Sequence, residues 1–232
     1  MYKAVLFDLD DTLINLKETE AAALRVALDD QRLVLETDEE TVLAAYREAV
    51  EPYWKERRER WLTRQQVVEY ALRDVLHQLG AESALAPGLA AGYWRAFPRN
   101  PVLNPGVPDL LRGLSSRHKL GIVANGEDEF HRGRLRHAGM LPFFSTVAIS
   151  DEAGAEKPNA DIFQVALEQL GLGAKEVLYV GDSVEEDYAG SQNAGLDFGY
   201  YAPDPIPHDL ENAAFQLRHF DELTKALCPV TA

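Results

Sequence analysis

With 232 residues, 46% of them hydrophobic, the chain can bury a sizeable core, as one large domain or as a core plus a smaller insert. A formal net charge of −15 argues against nucleic acid as a partner, because phosphate backbones are gripped by clustered Lys and Arg. No apolar run is long enough to span a bilayer, and the charges at Asp8–Asp11 cut short any signal-peptide reading of the N-terminus.

The first predicted element is the strand Ala4-Val5-Leu6-Phe7, whose unbroken apolar run is that of a strand buried on both faces. It leads directly into Asp8-Leu9-Asp10-Asp11-Thr12. Carboxylates are costly to bury unpaired, so this strand must end where something compensates them. In an open parallel sheet that place is the crevice beyond the carboxyl ends of the strands. Strand alternation points Asp8 and Asp10 the same way if the extended backbone continues. Two carboxylates there imply a hard divalent cation, paired acid–base chemistry, or both. The competing reading is that the aspartates cap the next element.

Past residue 14 the periodicity becomes helical, with Leu, Ala and Val at three- and four-residue spacing over about 17–31, 38–58, 63–79 and 83–97. Thr37-Asp38-Glu39-Glu40 and Thr63-Arg64-Gln65-Gln66 read as N-terminal capping signals. The stretch contains no convincing strand and ends at the prolines of Pro98-Arg99-Asn100-Pro101 and Asn104-Pro105-Gly106. Within it, Trp54-Lys55-Glu56-Arg57-Arg58-Glu59-Arg60-Trp61 mixes cations and aromatics and reads as a solvated helix face, with contact to a base, sugar or second anion as the other possibility.

Helices and strands then alternate. The predicted strands are Leu120–Ala124, Thr146–Ser150, Val177–Val180 and Phe198–Tyr201, preceded by helices over about 106–117, 128–139, 159–170 and 186–194. This pattern implies a parallel α/β sheet that includes the first strand, with the helical segment as an insertion. Strand two ends in Asn125-Gly126, short groups that let backbone amides approach an anion. The loop after strand three carries Lys157-Pro158 at a helix start, a candidate oxyanion clamp. Strand four ends in Gly181-Asp182-Ser183-Val184-Glu185-Glu186-Asp187, where Ser183 reads as a cap and the glutamates complement the helix dipole. Asp182 precedes that cap and meets Asp8 if the two strands are neighbours. Acids converging in one crevice need a cation or proton among them, and an oxygen-only donor set selects magnesium over zinc.

The six histidines, His77, His118, His131, His137, His208 and His219, lack metal-ligand spacing and read as surface or packing residues. The single cysteine, Cys228, can form no internal disulfide, which fits a reducing, cytoplasmic compartment.

Taken in order, Asp8-Leu9-Asp10-Asp11-Thr12, a strand ending Val123-Ala124-Asn125-Gly126, Lys157-Pro158 and Gly181-Asp182-Ser183 followed by Asp187 resemble the haloacid dehalogenase superfamily. Length and pattern are similar to its pyrimidine 5′-nucleotidase-like phosphatases. The resemblance implies a Rossmann-like α/β core of residues 1–14 and 100–232, with an all-helical C1-type cap of residues 15–99. It implies that Asp8 is the nucleophile, forming an aspartyl-phosphate, and that Asp10 is the general acid–base, its proton retained by nearby negative charge. It places Mg2+ on Asp8, the backbone carbonyl of Asp10 and Asp182, with Asp187 in support. Asn125, Gly126 and Lys157 are the implied phosphate contacts, and Lys157 also balances charge on the nucleophile.

One position departs from the pattern: Ala124 stands where the family usually has Ser or Thr, so the phosphate cradle lacks a hydroxyl donor. The expectation is a magnesium-dependent phosphomonoester hydrolase for a small phosphorylated metabolite, with a nucleoside monophosphate as the candidate substrate. A phosphomutase, a 2-haloacid dehalogenase and a weakly active phosphate-binding protein are the alternatives. Asp10 argues against the dehalogenase, which has no alkoxide to protonate. The expected partners are a small phosphorylated substrate, with no nucleic acid and no membrane, acting as a monomer or homodimer.

Overall fold

Ala4–Phe7 forms the first strand, β1, with all four residues buried. The structure is a computed structural model that describes residues 2–31, 37–57, 59–202, 210 and 213–228. Arg58 and His208 therefore lie outside the described residues. The chain divides into two compact units, one of Met1–Leu16 with Pro101–Ala232 and one of Lys17–Asn100.

The second unit is made of helices: α1 (Leu16–Asp30, its first residue in the other unit), α2 (Glu39–Glu56), α3 (Arg64–Gln78) and α4 (Ala86–Ala96). The capping signals are realised. Asp38 accepts the Thr41 N–H at 2.9 Å, and Thr63 and Gln66 form a reciprocal capping box. The apolar stripes, such as Val67, Val68, Ala71, Leu72, Val75 and Leu76 of α3, are buried. The periodicity over 83–97 resolves into a 3₁₀ turn, Ser83–Leu85, followed by α4, whose Pro87 sits in the first turn, where its missing N–H costs nothing. In the Trp54–Trp61 segment Lys55 pairs with Glu51 at 2.7 Å and Arg60 with Glu56 at 3.0 Å. Trp61 is 91% exposed.

The first unit continues with α5 (Val107–Ser115), β2 (Lys119–Ala124), α6 (Asp128–His137), β3 (Phe144–Ile149), α7 (Ser150–Ala153), α8 (Ala160–Leu170), β4 (Val177–Gly181), α9 (Ala189–Asn193), β5 (Asp197–Tyr201), β6 (Phe215–Leu217) and α10 (Phe220–Leu227). All strand pairings are parallel, in the order β3-β2-β1-β4-β5-β6. This is the Rossmann-like α/β sheet that the alternation predicts. The edge strand β6 is an addition, since three residues are too few to show an alternating pattern. The helix expected over 186–194 is split into a π-helical turn at Val184–Tyr188 and the short α9.

Strand alternation gives the sheet two apolar faces. Val5, Phe7, Ile122 and Val180 pack with Leu110, Leu114 and Phe220 on one side. Ala4, Leu6, Val123 and Tyr179 pack with Ile162, Phe163 and Leu167 on the other. With β1 between β2 and β4, the carboxyl ends of the three central strands deliver Asp8, Asn125 and Asp182 to one crevice. No helix among the described residues is long and apolar enough to cross a membrane.

Candidate active site

The Asp8 N–H still donates to the Val180 carbonyl at 2.8 Å, so the ladder carries the carboxylate to the strand end before the chain turns. Asp8 is buried, and so is Lys157. The ammonium of Lys157 lies 2.5 Å from Asp8 Oδ1, 2.7 Å from Asp187 Oδ1 and 3.1 Å from the Tyr179 hydroxyl. Asp187 accepts the backbone N–H groups of Asp182 and Ser183 at 3.1 and 3.0 Å, and its Oδ1 lies 2.7 Å from the Tyr179 hydroxyl. Gly181 makes room for it: a Cβ there would stand 2.4 Å from the Asp187 carboxyl carbon. Asp182 accepts the Thr12 hydroxyl at 2.9 Å. Ser183 caps the π-helical turn by accepting the Glu186 N–H at 3.1 Å.

One oxygen each from Asp8, Asp182 and Asp187 fall within 4.8 Å of one another. Lys157 is the cation among them. Burial opposes its charge, but Asp8 and Asp187 raise its pKa and keep it protonated. A single cation cannot balance three carboxylates. Burial pushes Asp8 well above the usual carboxylate range against the pull of Lys157, with Asp187 and Asp182 adding to the rise. Burial and Asp187 push Asp182 up to about 7. A cluster of oxygen donors short of positive charge is the donor chemistry of a hard divalent cation, so the residues present fit magnesium.

Asp10 is placed differently from the expectation. β1 ends at Phe7, so the extended alternation stops before it. Its two carboxylate oxygens accept from the two terminal nitrogens of Arg134, Nη1 to Oδ1 and Nη2 to Oδ2, the latter at 2.9 Å. The Nε2 of His131 stands 3.6 Å from Oδ2. Burial favours the protonated acid, but Arg134 and His131 outweigh it and hold the carboxyl well below the usual range. The expectation that neighbouring negative charge retains a proton on Asp10 is therefore corrected, because its nearest charged partner is a guanidinium.

Two of the expected phosphate contacts, Asn125 and Gly126, have hydrogen-bond partners within the protein. The side-chain amide of Asn125 donates to the Lys157 carbonyl at 3.1 Å and to Glu186 Oε2 at 2.9 Å. Its Oδ1 accepts the Lys157 N–H at 2.7 Å. Asn125 thus ties the lysine loop to the sheet. The Gly126 N–H donates to the Ser150 hydroxyl at 2.9 Å, and a Cβ at Gly126 would fall 2.0 Å from the His131 ring. Of the expected phosphate contacts, Lys157 stands in the cluster, while these Asn125 and Gly126 groups are engaged within the protein. Ala124 is buried at the end of β2.

Sequence reasoning passed over Thr12, Asn104, His131, Arg134 and Tyr179. Asn104 holds the turn after β1 by donating to the carbonyls of Asp11 and Thr12 at 3.1 and 2.7 Å. Asp11 adopts the left-handed φ of 56° and accepts the Leu16 N–H at 3.0 Å. His131 is buried beside Asp10, and its only sequence signal is its position three residues before Arg134.

A parallel sheet whose central strand ends gather carboxylates around a buried lysine defines a Rossmann-like α/β hydrolase. The chain belongs to the haloacid dehalogenase-like hydrolase family, whose sequence profile it matches over residues 2–195. It is 33% identical to the HAD-hydrolase YfnB of Bacillus subtilis, covering 96% of this chain and 94% of that protein. The crystal structure of YfnB bound to magnesium superposes with a TM-score of 0.80 over 98% of this chain and 99% of that one. The pyrimidine 5′-nucleotidase PynA of Streptococcus pneumoniae is 30% identical, over 91% of this chain and 86% of that protein. A glyceraldehyde 3-phosphate phosphatase of Methanopyrus kandleri is 32% identical, over 84% and 82%.

Proposed function

We propose that this hydrolase is a magnesium-dependent phosphomonoesterase that works through an aspartyl-phosphate on Asp8. The observation that carries the reading is the pairing of Asp8 with Lys157 while Asp10, two residues on, has its own cation. Two carboxylates in separate electrostatic environments can take separate roles.

Lys157 occupies Oδ1 of Asp8, so the second oxygen attacks phosphorus and the ester P–O bond breaks. The leaving alkoxide takes a proton from Asp10. Water then attacks the phosphorus of the acyl phosphate and gives its proton to Asp10. The P–O bond to Asp8 breaks, releasing inorganic phosphate. Paired with Arg134, Asp10 rests in the ionised form that serves the second step. Holding a proton for the first step requires that pair to be offset, and the charge of an incoming phosphate acts in that direction. Asp8, Asp182 and the backbone carbonyl of Asp10 would hold the magnesium, with Asp187 in support, and it would supply charge neutralisation for the transferring phosphoryl group.

The helical segment 15–99 is proposed as the cap that selects the substrate, a small phosphorylated metabolite. The relatives named for pyrimidine nucleotides and for glyceraldehyde 3-phosphate support that class and make nucleoside monophosphates the first compounds to try. Cytoplasmic location and a monomeric or homodimeric state belong to the same reading.

A panel of nucleotides, sugar phosphates and p-nitrophenyl phosphate, assayed for phosphate release with magnesium, tests the reading. Turnover of at least one ester is expected, and release from none would sink the enzyme claim. Asp8→Asn should abolish turnover; an active variant would refute the nucleophile.

A further inference from the structure

Arg134 is the bulkiest fully buried side chain among the described residues, and its charge is spent on Asp10. A guanidinium in the interior is retained at a desolvation cost, and an apolar side chain packs there more cheaply unless the charge has a task. Its neighbour on α6, Leu135, does pack in the apolar core. The contact is a fork: two parallel N–H groups on two carboxylate oxygens, which fixes the plane of the acid as well as its place.

His131 adds a second constraint from the same helix face, since residues three apart are neighbours on a helix. Its Nδ1 lies 2.9 Å from the Glu127 carbonyl, which turns Nε2 toward Asp10. That Nε2 is buried with no hydrogen-bond partner in the structure. The ring lies against Gly126, where no side chain could fit, so it is held between the β2 loop and Asp10. Lys157 binds Asp8 and Arg134 binds Asp10, so each aspartate of the pair is positioned by a cation from a different element.

We propose that Arg134 is a positioning residue that fixes the place and plane of the Asp10 side chain before substrate charge offsets the pair and lets Asp10 serve the leaving-group oxygen, with the His131 ring as its backstop. This rests on the phosphomonoesterase reading. An aimed acid matters most where the leaving group is a poor one, so the inference predicts a dependence on the ester and not a uniform loss.

The test compares an alkyl phosphate with p-nitrophenyl phosphate. Arg134→Gln is expected to lower kcat for the alkyl ester by ~10²-fold and for the aryl ester by no more than ~10-fold, because only the former needs the aimed proton. Arg134→Lys, which keeps the charge and loses the fork, should recover part of the alkyl-ester rate. In an Asp10→Asn background, Arg134→Gln should cost nothing further on the aryl ester, since residues acting as a unit are not additive. Asp10→Asn with Arg134→Gln also removes both charges together, which guards against a variant that fails to fold. Equal loss on both esters, a faster alkyl-ester rate, or the same loss in both backgrounds would overturn the proposal. If the unaltered enzyme releases phosphate from neither ester, it is the phosphomonoesterase reading that fails.

Discussion

Thr12 donates its hydroxyl to Oδ1 of Asp182 over 2.9 Å, joining the loop after β1 to the loop after β4 across 170 residues of sequence. Asp182 is the carboxylate of the cluster that is not itself bound to Lys157, so this hydrogen bond orients it. Replacing Thr12, which is fully buried, by the near-isosteric Val removes the donor and keeps the shape. Magnesium affinity is expected to fall ~10-fold or more, as for other groups that orient metal ligands, with a smaller change in kcat at saturating magnesium. A magnesium titration of activity checks it.

Lys157 supports three carboxylates, directly or through a shared neighbour. Lys157→Met would leave Asp8 and Asp187 buried without their cation, a loss of about 3–5 kcal/mol of stability for a broken buried pair. The variant should lose at least ~10²-fold in kcat, and its melting temperature should rise more on adding magnesium than that of the unaltered protein. Thermal unfolding with and without magnesium reads both.

Asp182 is pushed up to about 7 by burial and Asp187. For a carboxyl raised in the folded state, that state binds more protons than the unfolded one between the ordinary carboxylate range and about pH 7. The contribution of this group to the stability of the metal-free protein therefore falls as pH rises through that window. A cation must displace the same proton, so magnesium should bind more weakly at pH ~6 than at pH ~8 and release protons on binding at the lower pH. Calorimetry of magnesium binding in two buffers of different ionisation enthalpy measures that release.

Ala124 stands at the end of β2, packed among Phe7, Ile122 and Ile149. Ala124→Ser places a hydroxyl beside the proposed phosphate site. It is expected to raise kcat ~10-fold while lowering stability by about 1 kcal/mol, the cost of a polar group buried without substrate to bind it. Steady-state kinetics and a denaturant titration decide; an unchanged kcat would mean that the missing donor is already replaced.

The amino-acid sequence by itself determined the parallel sheet, the helical insertion and the acids that stand at strand ends. These are short-range properties: an apolar run stopped by carboxylates, a period that changes from two to three or four, a capping pair three residues apart. Asp8, Lys157, Asp182 and Asp187 were legible because a strand end delivers its residues to a predictable place. The partner of each group was decided only by tertiary structure. Arg134 meets Asp10 from 124 positions away, and nothing in the sequence distinguishes it from Arg132 and Arg136 of the same helix. Asn125 looks like an anion donor in sequence, yet in the fold its amide meets Lys157 and Glu186 first. The two opening aspartates thus differ through their surroundings: at Asp8 burial outweighs the pull of Lys157, whereas at Asp10 Arg134 and His131 together outweigh burial.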